Sequence, residues 1–391
     1  MLLLQLVTYP YLIRVLGKDT YGIIVYSQAI ISYFIIFINF GFDFSATLQI
    51  SVNRDQKDKL TEIISSTFII KLFIFLCSLM ILSFIFKYIP YSKDYATLIY
   101  ITFFLSLYNV FFPVWYFQGI EKMGYITIFS LSSRIFFLIM IFVFVKSPED
   151  YLLVPIINGL GSIPICISSL YLIVIKHKIP LKLQSLNNLI YYIRDSYLIF
   201  ISNLSSTIYL ASNKVIVGSF LGLTEVAYYD LAEKIINIAK LPQVILTSAL
   251  FPKIGKEKNS AFVLKMFVFS LFVNILIMIL IIISSDWLVL ILGGNDMYSA
   301  GTIIRILSIT IPIIAISSIF GTQYLLPFNH KIQFTRTYIL CGFLYFFCCI
   351  GIYFYVGFTI YNLLALIILV ELFVTIIMYV YVKRLGLFLK I

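Results

Sequence analysis

The chain has 391 residues, of which 62% are hydrophobic and 12% charged. A soluble protein of this size carries about twice that charged fraction, so the composition excludes a soluble globular domain and defines a polytopic membrane protein. The net charge of +11 does not point to nucleic acid, because no basic folded domain carries it; cationic loops on a cytoplasmic membrane face account for it.

In chain order, Met1–Leu16 is apolar, too short for a complete spanning helix, and interrupted by Pro10. It lacks the basic start and small-residue cleavage site of a signal peptide, so the chain is expected to begin inside a truncated first transmembrane helix. Gly17–Thr20 reads as a turn, Tyr21–Phe42 as the second span and Ser51–Leu60 as a charged loop. Glu62–Phe86 is the third span, with Lys71 inside it, followed by a loop at Lys87–Asp94 holding Pro90. Tyr95–Gln118 is the fourth, with Asn109 and a kink at Pro113.

The fifth span, Gly124–Val145, is long enough at about 1.5 Å per residue to cross a hydrocarbon core of about 30 Å. Arg134 sits at its middle. A cation there costs about 3 kcal/mol on insertion scales, so it faces either a carboxylate partner between helices or a wet cavity that takes an anion. Both readings stay open at this point.

Leu152–Ile175 is the sixth span, broken by Pro155, Gly159, Gly161 and Pro164. Lys176–Asn188 is the longest polar connection, and Leu181, Leu183, Leu186 and Leu189 are expected to form the apolar face of an interfacial helix. This divides the chain into an N-terminal lobe at 1–175, a cytoplasmic amphipathic linker at 176–192 and a C-terminal lobe at 193–391. The C-terminal spans are Ile193–Phe220, Val226–Phe251, Phe262–Ile283, Ala300–Leu326 (kinked at Pro312), Thr337–Val356 and Tyr361–Val382, with a loop at Ser284–Tyr298. About twelve transmembrane helices result, in an all-α fold of two six-helix lobes.

Loop charge sets the orientation. Arg54, Lys57, Lys59, Lys122, Lys176, Lys178, Lys182, Lys253, Lys256, Lys258, Lys331, Arg336, Lys383, Arg384 and Lys390 fall on one face; Lys18, Lys87, Lys93 and Lys146 fall on the other. The basic excess marks the first face, with both termini, as cytoplasmic. The two lobes also repeat: LGKDTYGIIVYSQAI at Leu16–Ile30 matches LGLTEVAYYDLAEKI at Leu221–Ile235, each a Leu-Gly turn, a short polar segment and an aromatic-containing helix. Six spans separate the copies, so the lobes enter the membrane in the same direction, related by a pseudo-two-fold axis along the membrane normal.

Catalytic and metal chemistry find no support. The five cysteines, Cys77, Cys166, Cys341, Cys348 and Cys349, lie in apolar spans without zinc spacing and read as packing residues. His177 and His330 lie in loops, there is no P-loop, and no large polar loop is present to hold an active site. The chain is read as a non-enzyme without cofactor or metal.

Four stretches carry a family resemblance: PYLIRVLGKDTYGIIVYSQAI at Pro10–Ile30, NFGFDFSATLQIS at Asn39–Ser51, WYFQGIEKMGY at Trp115–Tyr125 and NKVIVGSFLGLTEVAYYDLAEKI at Asn213–Ile235. They resemble the Wzx-type polysaccharide flippases of the multidrug/oligosaccharidyl-lipid/polysaccharide exporter superfamily. The resemblance covers nearly the whole chain and rests on diffuse packing motifs. It implies two lobes around a central cavity in the bacterial inner membrane. The implied activity is movement of undecaprenyl-pyrophosphate-linked oligosaccharide to the periplasmic leaflet, for O-antigen or other polysaccharide assembly. Implied partners are the lipid-linked substrate, membrane lipids, and the polysaccharide polymerase and chain-length proteins.

The charged residues of the spans agree with that chemistry. Arg14, Lys71, Arg134, Lys214, Lys234, Lys240 and Arg305 outnumber Asp43, Asp230, Glu233 and Glu371. Guanidinium and ammonium groups bind pyrophosphate oxygens through charge-assisted hydrogen bonds, so Arg134, Lys71, Lys240, Lys214, Arg14 and Arg305 are the candidate substrate contacts, and Glu371 and Asp230 the candidate ion-coupling carboxylates. Asp230 and Lys234 are four apart on one helix and can also simply pair. The competing readings are an exporter of a cell-wall precursor lipid, or of small drugs by ion antiport. Buried carboxylates should dominate an exporter of cationic drugs, and here they do not.

Overall fold

The structure, a computed structural model, describes residues 2–88, 95–257, 260–328 and 330–387. The expectations for Pro90, Lys93, Lys258 and Lys390 lie outside these residues, as does the side chain of Lys253. Two compact units are present, Met1–Thr207 and Ile208–Ile391. The first holds α1 (Leu2–Asn39), α2 (Phe42–Val52), α3 (Lys57–Tyr88), α4 (Ala96–Phe104), α5 (Leu107–Phe111), α6 (Val114–Gly119), α7 (Met123–Phe144), α8 (Leu153–Tyr171) and the first part of α9 (Leu186–Phe220). The second holds the rest of α9 and α10 (Leu223–Ala239), α11 (Leu241–Glu257), α12 (Ser260–Leu292), α13 (Ala300–Ser308), α14 (Thr310–Ser318), α15 (Lys331–Gly351) and α16 (Ile360–Arg384). No strand occurs among the described residues.

Among the described residues, ten segments are long and apolar enough to cross a membrane. Backbone donors and acceptors in hydrocarbon must be satisfied within the segment, which leaves the helix as the solution for sequences of this apolarity. The count meets the expected twelve once two features are allowed for. The segment Val7–Val52 carries both of the first two expected spans, and the seventh lies in α9, outside the ten. The first two spans are separated by Gly17, at φ 76° and ψ 163° inside α1. Gly222, at the matching place of the repeat, has φ 106° and ψ 166°. A residue with a Cβ avoids this region, so both Leu-Gly turns require their glycine.

The fourth span is broken into α4, α5 and α6. Phe112 adopts φ −100° and ψ 98°, the extended conformation that a following proline enforces, and Pro113 then opens α6. The spans α8, α14 and α15 each run on into a π turn, at Leu172–Lys176, Ile319–Leu325 and Ile352–Val356.

Two loop assignments are corrected. The expected loop at Ser284–Tyr298 is helical through Leu292, because the apolar run Trp287–Leu292 sustains α12 while the Ser284 and Ser285 hydroxyls donate to the carbonyls of Leu280 and Ile282. The expected interfacial helix is not formed over residues 178–185. That segment is irregular, its Ile179 is buried, and the backbone N–H of Lys182 donates to Ser65 Oγ at 2.9 Å. Leu183 is left 95% exposed.

Candidate functional site

In the first unit the charged groups gather where α1 ends. Phe40 and Gly41 both take positive φ, at 43° and 77°, and turn the chain sharply from α1 into α2. The turn brings Asn39 and Asp43 to Lys71 of α3. Lys71 Nζ donates to Asn39 Oδ1 and to the carbonyl of Asn109, each at 3.1 Å, and lies 3.9 Å from Asp43 Oδ1. Lys71 is 1% exposed, whereas the Asp43 side chain is 47% exposed. The ammonium is therefore held by neutral oxygens and has a carboxylate at its side.

Arg134, half-buried midway along α7, has no hydrogen-bond or ion-pair partner among the described residues. Arg14 is exposed on α1.

In the second unit Gly222 starts α10, and the helical spacing puts Asp230, Glu233 and Lys234 on one face. Lys214 of α9 meets this face, with Nζ 2.8 Å from Asp230 and 2.6 Å from Glu233. Asp230, 2% exposed, also pairs with Lys234. Beside them Asn213 Oδ1 accepts from the Tyr345 hydroxyl at 2.7 Å. Two cations and two carboxylates balance here. Lys240 lies within electrostatic reach of Glu371 and Glu233 without forming a salt bridge to either. Arg305 of α13 pairs with Asp286 and donates to Ser285 Oγ at 2.8 Å, both on α12.

Of the six candidate cations, Lys71, Lys214 and Arg305 thus have a carboxylate partner, while Arg134 and Lys240 form no salt bridge among the described residues. Asn39 and Asp286, which escaped sequence reasoning, and the carbonyl of Asn109 complete these constellations. Asn39 and Asp43 flank the Phe40–Gly41 turn, and that glycine was the available signal. Among the described residues no group of three or more His, Cys, Asp or Glu side chains is placed to hold a metal.

Outside the spans, Arg54 and Glu121 pair at 2.6 Å on the surface. That hydrogen bond raises the guanidinium and lowers the carboxyl from their ordinary values. His177 Nδ1 lies 2.7 Å from the Tyr116 hydroxyl. Burial, and then the charges of Lys122 and Lys176, lower His177 from the usual imidazole value.

Solved structures share this architecture. The inward closed conformation of the lipid II flippase MurJ superposes with a TM-score of 0.81 at 15% identity, covering 98% of this chain and 85% of that one. The inward-facing conformation of a multidrug resistance MATE transporter of the MOP superfamily superposes at 0.70 and 11% identity, covering 99% and 98%. The chain shares the fold of these two structures. Residues 2–257 match the family model described as polysaccharide biosynthesis protein, and the chain belongs to that family. A candidate O-antigen transporter of Escherichia coli K12 is 28% identical over 88% of this chain and 84% of its own length. A relative of the same description from Shigella dysenteriae is 24% identical over 86% of each. The resemblance read from the four sequence stretches is borne out.

Proposed function

We propose that the protein is a flippase that moves an undecaprenyl-pyrophosphate-linked oligosaccharide from the cytoplasmic to the periplasmic leaflet of the bacterial inner membrane for polysaccharide assembly. The observation that carries the reading is Arg134. It lies at mid-span on α7 and no carboxylate pairs with it among the described residues, so it supports a role toward an anionic ligand. A pyrophosphate supplies the bidentate acceptor geometry that a guanidinium matches. Family membership and the O-antigen transporter description of the relatives support this substrate class. Lys240, in the second unit, is a further cation proposed to meet an anionic group, whereas Lys71 and Lys214 are each held beside carboxylates of their own unit.

Transport is secondary. The chain carries no P-loop, and the proposed cycle exposes the substrate site to one leaflet and then the other. Glu371 is the carboxylate proposed for ion coupling, whereas Asp230 is paired with two ammonium groups.

Arg134→Ala tests the reading. Membrane abundance should stay at the wild-type level while surface glycan is lost, and Arg134→Lys should keep part of the export, since the charge survives and the fork does not. Wild-type export by Arg134→Ala would defeat the assignment. Lost abundance, restored together with export by neutralising Glu371, would make Arg134 a structural pair.

A further inference from the structure

The second unit contains a continuous polar seam that no charged site uses. Asn274 Nδ2 donates to Gln243 Oε1 at 3.0 Å, and the Ser270 hydroxyl donates to the same oxygen at 2.5 Å. Gln243 Nε2 donates to Thr247 Oγ1 at 3.2 Å. Thr247 then meets Ser318 at 3.2 Å, and Ser318 meets Thr322 at 3.3 Å. Six side chains from α11, α12, α14 and the π turn at Ile319–Leu325 are thereby joined.

Four properties of the seam point to a ligand. It is graded: Asn274, Ser270 and Gln243 are at most 5% exposed, while Thr247, Ser318 and Thr322 are half-buried, so it opens at the hydroxyl end. It is incomplete, because Asn274 Oδ1 is buried without a hydrogen-bond partner. Every member is neutral, and the hydroxyls both donate and accept, which suits hydroxyl groups and not phosphate. Finally, the bond from Val244 N–H to the Lys240 carbonyl continues the helical register, so Lys240, Gln243 and Thr247 lie at intervals of three and four residues on one face of α11. A cation followed along one helix by a hydroxyl-matching stripe fits a ligand in which sugar follows phosphate. The open end also adjoins a π turn, an irregularity that recurs at functional sites.

We infer that this seam is the subsite for the sugar hydroxyls of the transported head group. The inference rests on the proposed function and adds to it the place where the glycan is read. Water offers the same hydrogen-bonding chemistry, and the experiment separates the two sources.

The test is equilibrium binding to the purified protein in phosphatidylcholine nanodiscs, with two fluorescent probes: N-acetylglucosaminyl diphospho-polyprenol and the polyprenyl diphosphate without sugar. Thr247→Val with Ser318→Ala removes two hydroxyls at the open end and keeps side-chain volume. The double variant should bind the sugar-bearing probe about tenfold more weakly, the scale expected when a polar site loses its partners, and the sugarless probe unchanged. Unchanged binding of both would mean that the seam holds water or only joins helices, and would overturn the inference. An equal loss for both would show a purely structural role and overturn it as well. If the wild-type protein bound neither probe, the proposed function itself would fail. Equal wild-type affinity for both probes would leave that function standing and remove the sugar subsite.

Discussion

Lys71 and Arg134 show how far a buried charge can be understood from sequence. Both are cations set deep in apolar spans, and sequence alone makes them equals. The structure separates them. Lys71 is satisfied by Asn39, Asn109 and Asp43, three groups that reach it through a turn and a broken span. Arg134 has no such set. Partners of that kind are invisible in a hydropathy profile because they come from positions far apart in the chain and fixed by packing. The pairing of Asp230 with Lys234 was legible, since it needs only helical spacing; the approach of Lys214 was not. Asp230→Asn removes the carboxylate that two ammonium groups share. It is expected to destabilise the second unit by about 3–5 kcal/mol, as breaking a buried pair does, and to lower membrane abundance. Neutralising Lys214 together with Asp230 should recover part of that abundance, measured by quantitative immunoblot of membranes. Normal abundance of Asp230→Asn would show that the cluster is not structural.

Helices and turns were the more readable part of the chain. The Leu-Gly repeat singled out Gly17 and Gly222, and both adopt the same unusual backbone conformation. The kink at Pro113 followed from the restriction that a proline places on its predecessor. The misreadings have a common origin in overlapping signals. Ser284–Leu292 contains serines and an aspartate that resemble a loop, yet the serine hydroxyls are satisfied by the preceding turn and Asp286 is claimed by Arg305. Lys176–Asn188 has leucines at helical intervals, but residues 178–185 are fixed in an irregular path by Ile179 and by the bond to Ser65. Gly41 gives an element-level test. At φ +77°, an added Cβ would lie 2.9 Å from the Phe200 nitrogen and 3.0 Å from the Ser196 carbonyl oxygen, whereas at Gly222 it would meet nothing within 4 Å. Gly222, at φ 106° and ψ 166°, lies in a region essentially confined to glycine, so Gly222→Ala should cost that backbone penalty alone, about 1–3 kcal/mol. Gly41→Ala should cost the left-handed backbone penalty of about 1–2 kcal/mol and about 1–3 kcal/mol more for overpacking. Thermal unfolding of the purified variants should place Gly41→Ala clearly below Gly222→Ala; equal midpoints would contradict the close approach of α2 to α9.

At the level of the complete chain, composition alone excluded a soluble protein, and the spacing of apolar runs foresaw the all-helical membrane fold. The fold neighbours and family membership agree with that reading. Orientation is carried by loop charge and predicts which loops face the cytoplasm. The five cysteines are free, so a cysteine-free background is a small set of substitutions. On it, an impermeant maleimide should label Asn295→Cys in intact cells and leave Arg54→Cys and Lys256→Cys unlabelled until the membrane is opened. Labelling at position 256 in intact cells would invert the map.

The most direct test of the central claim is translocation by the purified protein in liposomes, using fluorescent N-acetylglucosaminyl diphospho-polyprenol and a membrane-impermeant quencher. The wild-type protein should move the probe across the bilayer without ATP, and Arg134→Ala should fall to the rate of protein-free liposomes. Translocation by Arg134→Ala at the wild-type rate, or a strict ATP requirement by the wild-type chain, would contradict the account.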